Sequence, residues 1–475
     1  MPTLDQSFST SNFHIIFNLL NRKGKIDVKK MSAEYQKSIV DIKDVREEIV
    51  ALKKKKKTER TDEDKINLQK LNTKLLELYK EKKEQLDKNM EALSEQVNSP
   101  HFRMVMQHYT FDSHDEFTLD TKSLSVVFAI AQLQHTLKRA FDVRMYDRHT
   151  IMTALKSLLN SKMPYYLIRT DVSKFFESIP QDKLMMKIED SALLNYKSRA
   201  FIKGILKEFE QIKVGEGITT IGTNQGVPRG VGISSMLSEI YMQDIDREFR
   251  SRTETMFYVR YVDDIILIVR SIGRYKDLEE YYNSISQLFA DKGLTLKEVG
   301  DDKCKLIDFV NSPKKCNFEY LGYKIYLDPQ QGIAQYDLSS SKFDKIKGRI
   351  DHAYKHFENR SKINVKAARR DLLDALNLIT GNIRLKNAKS GVKTGLFYSN
   401  DLLMQSSEEM NYLNKYMHDK DILPYKGVFK TDEEYNSFVS KLKKKIDAIN
   451  LAERWSQRKM YKYPIKRILE IQKWL

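Results

Sequence analysis

Tyr261-Val262-Asp263-Asp264 lies between two apolar runs, Met256-Phe257-Tyr258-Val259 and Ile265-Ile266-Leu267-Ile268-Val269. The β-branched and aromatic residues on both sides read as buried strands, with adjacent carboxylates where a hairpin would turn. Burying neighbouring anions is costly unless cations hold them. A hard divalent ion such as Mg²⁺ binds carboxylate oxygens and leaves room for substrate phosphates. Upstream, Tyr165-Tyr166-Leu167-Ile168-Arg169-Thr170-Asp171 reads as a strand ending in an Asp that could share metal with Asp263. Two ions about 4 Å apart can clamp the attacking and leaving oxygens of a phosphoryl transfer. Positioning plus electrostatics is most of what such a transfer needs. An Asp-Asp turn alone is a common surface feature, and a lone Asp at a strand end is more often a helix cap. The two sites together are what point to chemistry.

These acids need a scaffold, and the chain supplies three textures. Ile42, Val45, Ile49 and Leu52 are spaced by three and four, as are Leu68, Leu71, Leu75 and Leu78, then Leu86, Met90, Leu93 and Val97. That spacing predicts two helices between about Met31 and Val97, a hairpin or coiled coil. The break between them holds Lys53 to Lys57, with Thr61 or Asp62 capping the second helix. The lysines could grip phosphate or simply end a solvated helix. From His101 to about Leu327 strands and helices alternate. Strands are expected at Tyr165–Asp171, Phe257–Tyr261, Ile265–Val269 and Tyr320–Ile325. Beyond Asp328 the chain reads as helical, with amphipathic helices at Ala367–Ile379 and Tyr435–Ile449. A basic, aromatic tail follows, carrying Trp455, Tyr461, Tyr463 and Trp474. The expected divisions are 1–99, 100–327 and 328–475.

The 475 residues carry a formal net charge of +17, which favours a polyanionic partner, usually nucleic acid. The two cysteines, Cys304 and Cys316, argue against a disulfide scaffold or zinc module and fit a reducing cytoplasm. No run approaches the roughly 20 apolar residues that span a bilayer, and no secretory signal is seen.

Between the two acidic sites runs Gln225-Gly226-Val227-Pro228-Arg229-Gly230-Val231-Gly232-Ile233-Ser234-Ser235-Met236-Leu237. Its glycines let backbone approach a ligand closely. In order, these elements resemble the palm of a reverse transcriptase. Asp171 with Phe175-Phe176 resembles motif A. Gly226 to Gly230, with Ile233-Ser234 and Leu237, resembles motif B. Tyr261 to Asp264 resembles motif C. Gly293-Leu294-Thr295-Leu296 followed by Lys303 resembles motif D. Phe318-Glu319-Tyr320-Leu321-Gly322-Tyr323 resembles motif E.

The resemblance implies an α+β fold: a right-hand fingers-and-palm core, flanked by the N-terminal helical hairpin and an all-α, thumb-like C-terminal domain. It implies Asp171, Asp263 and Asp264 as metal-binding catalytic acids, with the Val172 carbonyl as a backbone ligand. Two Mg²⁺ ions, or Mn²⁺ in their place, are the implied cofactors. Lys303 is implied as proton donor to the leaving pyrophosphate. Phe176 would be the aromatic gate that excludes ribonucleotides. Arg144 and Arg148, near Arg139 in the fingers, would hold the triphosphate. Gln225, Gly226, Pro228, Arg229 and Gly230 would contact the nucleotide. Tyr320, Leu321, Gly322 and Tyr323 would grip the primer. The implied partners are dNTPs, an RNA template or non-coding RNA, and the DNA product.

Arg229 stands where many relatives carry Gln, and Ser235 and Glu239 depart from the intron and retron enzymes. Leu237-Ser238-Glu239-Ile240-Tyr241-Met242, Leu378 to Leu385 and Gly395 to Asn400 are more like the abortive-infection and other defence-associated bacterial enzymes. That sub-family implies a cytoplasmic antiphage role, with a homo-oligomer or a partner defence protein. An RNA-dependent RNA polymerase is the alternative, against which Phe176 and Tyr261-Val262 speak. A non-catalytic nucleic-acid-binding palm is the third reading. Tyr461 and Tyr463 could prime synthesis, although ordinary packing is the simpler role for them.

Overall fold

The computed structural model describes residues 4–54, 60–111, 114–386, 393–405 and 407–475. Lys55 to Lys57 of the expected lysine turn lie outside the described residues. The chain forms two compact units that interleave along the sequence. One is built from residues 1–145, 172–252 and 284–296, the other from 146–171, 253–283 and 297–475. The divisions expected from the sequence, at 99 and at 327, run in linear order.

In the first unit, helices Ala33–Lys54 and Asp62–Asn98 form the expected hairpin. Thr61 caps the second helix: its side chain accepts from Asp64 N, and Asp64 Oδ2 accepts from Thr61 N. This reciprocal pairing satisfies two donors that a helix start leaves open. One end of the hairpin packs Val45, Ile49 and Leu71 on each other. The other buries Met90, Leu93 and Val97 with Phe13, Phe17, Phe128 and Ala129. Strands β1 (Met106–Phe111) and β2 (His114–Leu119) pair antiparallel in the same unit.

The second unit holds the sheet expected to carry the acids. Its strands are β3 (Tyr166–Asp171), β4 (Thr255–Tyr261), β5 (Asp264–Val269) and β6 (Lys305–Asp308). They lie in the order β4-β5-β3-β6, every neighbour antiparallel. All six residues of β3 are buried, as befits a central strand covered on both faces.

A second sheet corrects the strand expected at Tyr320–Ile325. The chain turns there: β7 (Cys316–Tyr320) and β8 (Tyr323–Asp328) form a hairpin through Leu321 (φ 44) and Gly322 (φ 74), and β9 (Ile333–Leu338) pairs with β8. Two positive φ values are what a tight hairpin of matching twist requires. The expected boundary at 327 therefore falls within a strand, and regular helix resumes at Ser340.

The C-terminal region is not all-α. β10 (Asn382–Lys386), β11 (Lys393–Gly395) and β12 (Met460–Pro464) form a sheet in the order β11-β10-β12, with β12 parallel to β10. Gly381 ends the preceding helix Val365–Thr380, and a side chain there would meet the Tyr461 ring at 2.6 Å. The basic tail is thereby strand and helix. Arg467 bridges Asp371 (2.7 Å) and Asp374 (2.6 Å), and the Tyr463 hydroxyl donates to Asp374 at 2.9 Å. One apolar core joins these helices to β3, β5 and the second sheet. Among the described residues no helix is long and apolar enough to cross a membrane.

Candidate active site

Antiparallel register sets Asp171, the last residue of β3, directly opposite Asp264, the first residue of β5. Asp263 sits one residue earlier, on the two-residue turn from β4. One carboxylate oxygen from each of Asp171, Asp263 and Asp264 lies within 4.8 Å of the others. Among the described residues this is the one such group of metal-capable side chains. Like charges directly opposite each other on adjacent strands oppose pairing, so the cluster needs cations.

The turn itself is strained. Val262 has φ +61, a conformation that β-branched side chains rarely adopt. Arg260, buried at its strand position, donates to the Val262 carbonyl at 2.8 Å and holds the turn in place. Departures of this kind gather at sites where position outweighs comfort.

Two protein cations already answer the acids. Arg169 Nη2 lies 2.9 Å from Asp264 Oδ1, and its side chain is 7% exposed. Lys303 Nζ lies 2.8 Å from Asp171 Oδ2. Burial nevertheless pushes the Asp264 carboxyl up to about 6; Arg169 opposes the rise and Asp171 and Asp263 add to it. Burial works against the Lys303 charge, yet its hydrogen bond to Asp171 and the three carboxylates hold its ammonium above the usual lysine range. A pocket of three converging carboxylates with one raised so far is the donor set a hard divalent ion needs. The residues fit that ion.

Arg169 is a site residue that strand composition alone does not single out. Its signal was available: residues two apart on a strand share a face, so Arg169 had to lie beside Asp171.

Arg148 opens helix Arg148–Leu159 and lies 4.9 Å from the Tyr323 ring centroid, with Nε and Nη2 buried and unpartnered. Arg144, in the first unit, is exposed and pairs with Asp142 at 2.7 Å. Arg144 falls in the first unit and Arg148 in the second. Of the expected grip, Tyr320 and Tyr323 are buried at 1% and 2% exposure, so Leu321 and Gly322 form its accessible part. Burial raises both tyrosine hydroxyls above their usual range.

In the first unit, Val172 is buried and bridges Leu296. Phe175 is core, while Phe176 is half-buried. Gln225 is exposed, and its carbonyl accepts from Lys213 at 2.8 Å. Gly226 (φ +83) donates to Ile179 O. A Cβ there would press 3.1 Å from the Glu177 carbonyl, so the loop requires glycine. The Pro228 carbonyl accepts from Ser234 Oγ at 2.7 Å. Gly230 has φ +94. Arg229 pairs with Glu177, a partner to which no motif points.

The family described as "Reverse transcriptase (RNA-dependent DNA polymerase)" matches residues 78–325. No curated protein matches the sequence. Among solved structures, apo telomerase from Candida tropicalis is 11% identical, covering 76% of this chain and 64% of that one, with a TM-score of 0.35. Telomerase from Candida albicans in complex with a fragment of telomeric RNA is 11% identical, covering 71% and 64%, with a TM-score of 0.33. A C. tropicalis telomerase truncated from its C-terminal domain is 12% identical, covering 51% and 56%, with a TM-score of 0.33. The chain spans less than two thirds of each of these telomerase chains.

Proposed function

This chain belongs to the reverse transcriptase (RNA-dependent DNA polymerase) family, and on that premise we propose that it is an RNA-directed DNA polymerase, a nucleotidyltransferase adding dNTPs to a 3′-hydroxyl. The observation that carries this reading is the convergence of Asp171, Asp263 and Asp264 from two neighbouring strands and their turn. These three carboxylates, with the Val172 carbonyl, would hold a pair of Mg²⁺ ions. When bound, such ions stabilise charge on the attacking oxygen and on the triphosphate.

The remaining work falls to the chain's own groups. Arg169 fixes Asp264 and Arg260 fixes the turn, so the acids are positioned before substrate arrives. Lys303 keeps its proton beside Asp171 and can give it to the departing pyrophosphate. Phe176 sits five residues after Asp171 and would press on the sugar at its 2′ position. The net charge of +17 suits an RNA template or non-coding RNA and a DNA product. The likeness of residues 237–242, 378–385 and 395–400 to defence-associated enzymes supports a role in antiphage defence, as a homo-oligomer or with a partner defence protein.

The test is incubation with Mg²⁺, an RNA template, and either dNTPs or rNTPs. Incorporation of dNTPs is expected. Incorporation of rNTPs alone would instead make the protein an RNA polymerase.

A further inference from the structure

Phe176 is held by the loop of residues 225–230. In the first unit the Phe176 carbonyl accepts from Val227 N at 2.7 Å, and the Ile179 carbonyl accepts from Gly226 N at 2.8 Å. The Arg229 guanidinium lies 5.8 Å from the Phe176 ring centroid. Its Nη2 lies 2.9 Å from Glu177 Oε1. Ring and carboxylate are neighbours in sequence, so one guanidinium grips both. Arg229 is anchored in turn, because its carbonyl accepts from Phe117 N at 2.7 Å. A side chain on the next residue, Gly230, would come within 2.6 Å of the Phe117 carbonyl, so that approach is as close as backbone allows. The Glu177 side chain is only 18% exposed. A charge-assisted hydrogen bond gains strength in such shelter, and the cation over the ring adds to it.

We propose that Arg229 and Glu177 are positioning residues for sugar selection: their ion pair fixes the Phe176 ring in the orientation that rejects a ribose 2′-hydroxyl. This rests on the reading of Phe176 as the residue that meets the sugar. The guanidinium at 229 is committed to Glu177 and the ring, which gives this chain a reason to carry Arg where many relatives have Gln. With either partner neutralised, the ring can tilt and the 2′-hydroxyl gains room.

The experiment measures kcat/KM for a dNTP and for the matching rNTP. The variants are Phe176→Ala, Arg229→Gln, Glu177→Gln and the double Arg229→Gln/Glu177→Gln, each checked for folding by thermal unfolding. Phe176→Ala should lower the dNTP preference most. Each single variant should lower it on the order of tenfold, chiefly by admitting rNTPs. The double should be no worse than the poorer single, since both changes break one interaction. If Phe176→Ala relaxes sugar choice while the single variants keep the wild-type ratio, or if their losses add in the double, the clamp is overturned and the gate survives. If Phe176→Ala leaves the ratio unchanged, gate and clamp fall together. Should Arg229→Gln not fold, Glu177→Gln and Arg229→Lys carry the test. The first is expected to relax the ratio and the second to keep it, and the reverse result overturns the clamp.

Discussion

Arg169 reaches Asp264 across the strand pair, guanidinium to carboxylate at 2.9 Å, from two residues before Asp171 on the same strand. The strand register thus sets a guanidinium against the Asp264 carboxyl.

Replacing Arg169 by Met leaves Asp264 crowded by two other acids and without its paired guanidinium, with Lys303 the cation that remains beside the cluster. Breaking a buried ion pair from one side costs about 3 kcal/mol. Denaturant unfolding of Arg169→Met without metal should show that loss. Added Mg²⁺ should recover part of it, and polymerisation should fall because Asp264 is no longer held.

The acids themselves should be indispensable. Asp171→Asn and Asp263→Ala are each expected to lower dNTP incorporation by on the order of 10³-fold, the scale at which transition-state charge goes unstabilised. Binding of an RNA–DNA duplex, measured by fluorescence anisotropy, should persist. Chelation with EDTA should mimic these variants and be reversed by Mg²⁺.

Asp264 gives the pH dependence. Its folded value of about 6 lies above the ordinary 3.8, so the folded, metal-free protein holds this proton more tightly than the unfolded chain. The stability this contributes is complete below about pH 4 and lost as pH rises through about 6. Metal needs the carboxylate, so Mg²⁺ affinity should weaken as pH falls below about 6, approaching tenfold per pH unit from this one group. Calorimetric Mg²⁺ titrations between pH 5 and 8 test this, and Asp264→Asn should remove the inflection along with most of the affinity.

In the C-terminal region, Tyr463→Phe should cost about 1 kcal/mol, the net worth of a typical hydrogen bond, because its hydroxyl donates to Asp374. Initiation of synthesis should be unaffected. Nucleic acid found covalently attached to Tyr463 would overturn that expectation. Arg467→Met should cost more, about 3 kcal/mol, since it abandons the carboxylates of both Asp371 and Asp374.

The parts legible in sequence were those with local causes. Apolar positions spaced by three and four give the hairpin, and of the two expected caps, Thr61 and Asp62, Thr61 is the one that caps. Two β-rich runs around Val262-Asp263 gave the hairpin that carries the acids. What escaped depended on distant partners. Residues 460–464 read as a basic tail because nothing nearby reveals that their edge is completed by residues 382–386. Arg148 opens a helix and covers the Tyr323 ring, a partner far along the chain that no local pattern reveals. Glu177 carries no signal of its own, because its partner Arg229 lies far along the chain. Tyr320 to Ile325 has strand composition throughout, and only Gly322 hinted at the turn.

The parallel pairing of β10 with β12 has a consequence for biosynthesis. Asn382 must wait for Met460 to be translated before that side of its strand is closed. At about 5–20 residues per second this delay lasts several seconds. Throughout it a nascent chain displays an open β edge along Asn382–Lys386. A ribosome stalled in that interval would leave a product with an intact catalytic sheet and a sticky, unfinished flank, a natural target for chaperones and proteases.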